Sequence, residues 1–310
     1  MSRSGGNKAV LAALAANLGI AVVKFLAFLL TTSSSMLAES IHSVADSGNQ
    51  VLLLVGGRRA RRGADPEHPF GYGRERYIYA FIVAIVLFAV GGLFALYEGW
   101  HKIQHPEPIH SWQWVPVVVL VIGVVLEGNS LRTALVESRT GRRAAGFLGY
   151  IRRAKDPELP VVLLEDSAAL LGLVFALFGV GLTLLTGNGV WDGVGTLAIG
   201  VLLVCVAATL AIETKSLLLG ESATAANVRA IERAVLAGPE AERIIHLRTM
   251  HLGPDELLVA AKIAVRHDET AAEVARGIDA AEARIRAAVP IATLIYLEPD
   301  LYRAAPAKES

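Results

Sequence analysis

His42, Asp46 and Asn49 stand four and then three positions apart, the spacing of one helical face. An imidazole and a carboxylate one turn apart can bind a metal ion or relay a proton. They lie in an apolar run, 36–57, long enough to cross a bilayer as a helix. An Asp at bilayer depth costs on the order of 2.5–3.5 kcal/mol. A bound cation, a partner side chain or a water-filled path must offset that cost. The plainer reading is a hydrogen-bond cluster that only holds a bundle together. Two ionisable groups one turn apart exceed what packing requires.

Three further acids interrupt apolar runs: Glu127, Glu165 and Asp166. At about 1.5 Å rise per residue, Asp46 lies roughly 16 Å from one end of its helix, and Glu127 and Asp166 roughly 9–12 Å from theirs. These groups are therefore expected to share a level in the membrane, with His42 one turn further out. A histidine with two or three carboxylates suits a divalent first-row transition metal and suits calcium poorly. For Glu127, followed by Gly128 and Asn129, helix packing is the stronger reading. Glu165 and Asp166 project about 100° apart, so one of them at most is expected to face a given centre.

The elements that must position these residues follow from hydropathy. The chain has 310 residues, 54% of them hydrophobic, which is too apolar for an ordinary soluble domain. Six spanning helices are predicted near 9–31, 36–57, 77–100, 112–135, 160–185 and 191–217. The formal net charge is zero, so no overall field points to nucleic acid, and none is expected as a partner. No cleavable signal peptide is expected. The single cysteine, Cys205, lies in an apolar run and reads as packing. Arginines gather after the second helix (Arg58, Arg59, Arg61, Arg62, Arg74, Arg76) and after the fourth (Arg139, Arg142, Arg143, Arg152, Arg153). The positive-inside rule places both loops and both termini in the cytoplasm. Trp100, Trp112, Trp114 and Trp191 fall near the opposite ends, as an aromatic belt would.

From about Gly220 the pattern becomes that of a soluble domain. A helix over 223–237, strands over 243–251 and 256–266, a helix over 270–288 and a strand over 292–297 give the order αββαβ. The fold class is thus an α-helical membrane protein with a C-terminal α+β domain, divided as 1–219 and 220–310.

Two motifs carry a family resemblance. Ser40 to Asp46 reads Ser-Ile-His-Ser-Val-Ala-Asp, and His68 to Glu75 reads His-Pro-Phe-Gly-Tyr-Gly-Arg-Glu. Together they closely resemble the cation diffusion facilitator family. The continuation after Asp46 and the run Leu164-Glu165-Asp166-Ser167 look most like the branch containing the eukaryotic mitochondrial zinc transporter. The resemblance implies six spans, a cytoplasmic metallochaperone-like domain, a homodimer, and export of zinc or a related divalent metal (Mn2+, Fe2+ or Co2+) in exchange for protons. It implies an integral multi-pass protein, in the inner membrane if the source is bacterial, and no enzyme. His42 and Asp46 match the family's second-helix ligand pair, and Asp166 one of the two fifth-helix ligands. The other falls on Val162, which cannot ligate; Asn49, Glu165, Glu127 or a water is left to supply the fourth position. Asp65 and His68 match a minor loop site, with Tyr72 where that site has a histidine. Glu298 falls near a metal position of the soluble domain, and Tyr296 replaces its usual histidine companion. A structural loop and a dimerising domain are the better readings of those two regions.

Two rival classes remain at this stage. A membrane metalloenzyme would need an open coordination position and a general base, and no His-Glu-x-x-His motif is present. A metal sensor that does not transport would share the ligands.

Overall fold

A computed structural model describes residues 3–109 and 112–302, with side chains placed outside 3–16 and 140–145. Two compact units emerge. One holds the chain to Arg58 and Arg76–Lys215; the other holds Arg59–Glu75 and the chain from Ser216.

The first unit is helical. Its long helices are α1 (Arg3–Thr31), α2 (Ser34–Arg59), α3 (Glu75–Gln104), α4 (Trp114–Glu137), α6 (Glu158–Thr186) and α7 (Val190–Leu219); a shorter α5 (Arg139–Arg153) follows α4. Among the described residues, α3, α4, α6 and α7 are long and apolar enough to cross a membrane. In α1 the described apolar stretch is Asn17–Thr31. Helix α2 has the length, 26 residues, but its serines, Glu39, His42 and Asp46 lower its hydropathy. The residues that suggest a site thus weaken the signal for a span.

The bundle core joins Met36, Leu87, Leu120, Leu173, Ile199, Leu203 and Leu210 from α2, α3, α4, α6 and α7. Val121, Ile122, Val125 and Leu126 of α4 point outward instead, as lipid-facing side chains do. Helices α3 and α7 meet backbone to backbone: a methyl group at Gly99 would stand 2.6 Å from Leu197 N, and one at Gly200 would stand 2.7 Å from Leu96 N. Residues Leu87–Leu93 of α3 form a π-helical turn along this seam. Helix α5 is a departure from the loop expected there. It is kinked at Gly146, whose φ of 72° and ψ of 177° no helix interior adopts.

The start of α2 is held from a distant helix. The carboxylate of Asp192, near the start of α7, accepts from Ser34 N at 2.7 Å, Ser35 N at 3.3 Å and Ser33 Oγ at 2.9 Å. Asp192 thereby satisfies N–H groups left unbonded at a helix start, the task an N-cap side chain usually performs.

The second unit has the predicted αββαβ order: α8 (Ala225–Val235), β1 (Arg243–Gly253), β2 (Glu256–Ala264), α9 (Ala271–Ala288) and β3 (Leu294–Asp300). Strand β2 is central, antiparallel to β1 and parallel to β3. Alternation along β2 buries Leu257, Val259, Ala261 and Ile263 against Ile231 and Val235 of α8 and Ala281 and Ile285 of α9. Thr270 and Glu273 form a reciprocal capping box at the start of α9. The loop after α2, with the His68–Glu75 motif, also lies in this unit. Gly73 packs so closely on Leu252 O that a methyl there would stand 2.8 Å away, and Arg74 Nη2 lies 3.3 Å from Met250 Sδ.

Candidate metal site

Helix α2 carries the site. Its four-residue spacing places His42 Nε2 3.5 Å from Asp46 Oδ2. His42 is buried and Asp46 half-buried. Neither ring nitrogen of His42 makes a hydrogen bond among the described residues, nor do Asp46 Oδ1 and Asn49 Oδ1. Buried polar atoms are nearly always paired. Four orphaned atoms on about two turns of helix are what a cation-binding face requires of its protein side. A neutral imidazole and a carboxylate fit a divalent transition metal.

The other acids come from α4 and α6. Asn49 Nδ2 donates to the buried Glu165 Oε1 at 2.6 Å, joining α2 to α6. Asp166 turns the other way and accepts from Ser130 Oγ of α4 at 2.9 Å. The adjacent pair thus splits between two directions, as its angular separation predicts. Glu127 is half-buried and lies within electrostatic reach of Lys24, Asp46, Asp166 and His42. Asp46, Glu127, Glu165 and Asp166 therefore share a neighbourhood of α2, α4 and α6. Among the described residues, no three His, Cys, Asp or Glu side chains close into one metal-binding group. In this conformation the structure brings together His42 with Asp46, and Asn49 with Glu165. It does not bring Asp166 onto the His42–Asp46 pair, because Ser130 holds it.

The loop residues make a different arrangement. Asp65 Oδ2 accepts from Tyr72 Oη at 2.6 Å, and Oδ1 accepts from His68 N at 2.7 Å. The Tyr72 hydroxyl, and then the His68 amide, hold the Asp65 carboxyl below the usual carboxylate range. The His68 and Tyr72 rings lie 4.4 Å apart, centroid to centroid. Tyr72 thus occupies Asp65 with a hydroxyl, and the three side chains shape a turn. On β3, Glu298 and Asp300 each lie 3.0 Å from Lys262 Nζ. The lysine ammonium already supplies the positive charge at Glu298.

Sequence reasoning missed one buried pair. Lys24 Nζ of α1 lies 2.9 Å from Glu39 Oε2 of α2 and 2.9 Å from Ser43 Oγ. Both charged side chains are almost wholly inaccessible, at 2% and 0% exposure. The signal was present: Lys24 is the one charged residue in the run 9–31.

A membrane-embedded helical bundle with a polar, cation-suited face on α2 defines the class. Comparison with known proteins agrees. The cation efflux transmembrane domain matches residues 10–219. The mitochondrial proton-coupled zinc antiporter SLC30A9 of Xenopus laevis is 36% identical over 265 residues, 85% of this chain and 47% of that protein. Metal tolerance protein C4 of Arabidopsis thaliana is 32% identical over 217 residues, 69% of this chain and 47% of that protein. A solved MamM-CTD variant is 18% identical, with a TM-score of 0.25, over 26% of this chain and all of that one. The chain belongs to the cation diffusion facilitator family. It is an integral, multi-pass membrane protein, and it spans about half the length of the curated relatives it matches.

Proposed function

We propose that this chain exports a divalent transition-metal ion, zinc foremost, from the cytoplasm in exchange for protons. The observation that carries this reading is the His42–Asp46 pair, 3.5 Å apart, with buried hydrogen-bonding atoms that have no partner among the described residues. Metal and protons compete for such ligands, so one site can carry each in turn. The 36% identical relative, a proton-coupled zinc antiporter, supports zinc and proton coupling. His42, Asp46 and Asp166 supply the transport ligands, and Asn49, Glu165, Glu127 or a water completes the shell. Asp166 reaches the pair when its Ser130 hydrogen bond is exchanged for metal coordination. The Asp65–His68 turn and Glu298 carry no metal.

The domains divide near residue 220, into a six-span transport domain and a soluble domain that joins two copies into a homodimer. Both termini face the cytoplasm. The test is metal uptake by the reconstituted protein in sealed vesicles with an imposed pH gradient, comparing zinc with manganese, iron and cobalt. Gradient-driven zinc uptake is expected; binding without uptake overturns the reading. In a variant lacking Cys205, cysteines placed at the exposed positions Arg61 and Asn188 should label from opposite faces.

A further inference from the structure

The Lys24–Glu39 pair is not explained by packing alone. A buried ion pair is weak evidence of stabilisation, because desolvation of both charges offsets their attraction. In a membrane such groups face the interior of the bundle and mark ion pathways. The placement is specific. Glu39 sits three residues before His42 and seven before Asp46, on the Ser34 side of the site and on the same helical face. Its Oε2 takes the Lys24 ammonium. Its Oε1 is buried without a hydrogen-bond partner among the described residues and points at Gly172 of α6, where an added methyl would stand 2.9 Å away. Lys24 also reaches Ser43, the neighbour of His42. Asp46 lies within electrostatic reach of both charges.

We infer that Glu39 is a second cation station on the transport pathway, one turn from the His42–Asp46 pair towards Ser34, and that Lys24 holds it closed. This rests on the transport reading above. The ammonium is a resident cation. While it sits on Glu39, the carboxylate is neutralised and the path past His42 towards the Ser34 end of α2 is blocked by charge. A divalent ion arriving from His42 and Asp46 competes for the same oxygens with twice the charge. Lys24 then falls back onto Ser43, and Glu39 Oε1, beside Gly172, offers the second oxygen. When the ion departs, the ammonium returns. No step leaves the Glu39 carboxylate buried and unpaired.

The test separates binding from passage. Glu39→Gln, and the neutral pair Lys24→Met with Glu39→Gln, are compared with the parent. Zinc affinity at the His42 site is read by calorimetry in detergent, and pH-driven zinc uptake in vesicles. For both variants, affinity is expected within about threefold of the parent, while uptake falls by about tenfold or more. If Glu39→Gln does not fold, the neutral pair, which removes both charges of the pair together, carries the test. A folded variant that takes up zinc at the parental rate overturns the station and leaves a packing pair. Affinity lost in parallel with uptake also overturns it, because Glu39 then belongs to the first site. A parent that shows no uptake overturns the transport reading itself, and with it this inference.

Discussion

Asn49 of α2 donates to Glu165 of α6 across 2.6 Å, in a part of the bundle where both side chains are buried. This bond fixes the two helices that bear the candidate ligands at one level. Removing the donor leaves a buried acceptor alone, at a cost of about 1–3 kcal/mol. Asn49→Ala should therefore lower the thermal midpoint in detergent. Glu165→Gln, which keeps a carbonyl acceptor, should lower it less. Equal midpoints for the parent and Asn49→Ala would show that the bond does not hold the helices.

Asp46→Ala and Asp166→Ala should each reduce zinc uptake to background while the protein remains folded and monodisperse. Carboxylates that share a neighbourhood repel one another, so losing one need not destabilise the metal-free bundle. Parental uptake by either variant removes that residue from the ligand set.

His42→Asp should retain binding and shift preference from zinc towards manganese. Imidazole suits zinc and its neighbours, and an all-oxygen set suits harder ions. Metal and protons compete for either ligand, and an imidazole is intrinsically more basic than a carboxylate, with reference values of about 6.5 and about 3.9. Acid should therefore release zinc from the parent at a higher pH than from the variant. Calorimetry with both metals, across about pH 5.5 to 8, reads both effects. Identical profiles make His42 a packing residue.

Helix α9 should respond to acid through its capping box. The backbone N–H of Thr270, and then its hydroxyl, lower the Glu273 carboxyl below the ordinary glutamate value. A depressed folded value gives stability that is present above the ordinary value and lost as pH falls through the folded one. Amide protection over Ala271–Ala288, corrected for intrinsic exchange, should drop over that window in the parent. In Glu273→Gln the drop should be absent. Thr270→Ala should cost the helix about 1 kcal/mol at neutral pH.

Glu298→Ala should leave the zinc stoichiometry of the protein unchanged. The ammonium of Lys262 is shared by Asp300 and Glu298, and both carboxylates raise its pKa, so the pair favours a charged lysine over a bound metal. Calorimetric loss of one zinc per chain would restore Glu298 as a ligand.

The sequence pattern predicts the αββαβ order and the His42–Asp46 pair because both depend on spacing along one element. Alternation on β2 and a four-residue step on α2 are local properties. The pairings between helices are not. Nothing along the chain says that Asn49 meets Glu165, that Ser130 takes Asp166, or that Lys24 reaches Glu39 across fifteen positions. Asp192 is a further case: it satisfies the start of a helix more than 150 positions away. Helix α5 was hidden for a different reason. Its arginines and its mid-helix Gly146 read as a loop, and the kink at Gly146 lets two short helical pieces form there.

The glycine seam between α3 and α7 has a practical consequence. Where a single methyl group has no room, as at Gly99 and Gly200, neighbouring helices cannot slide or roll without a clash. The two should keep one separation through every state of a working cycle. A pair of spectroscopic labels, one on each of these helices, would therefore serve as an internal ruler. Distances from that ruler to a third label on α2 would report the motion of the site-bearing helix free of tumbling or distortion of the whole bundle.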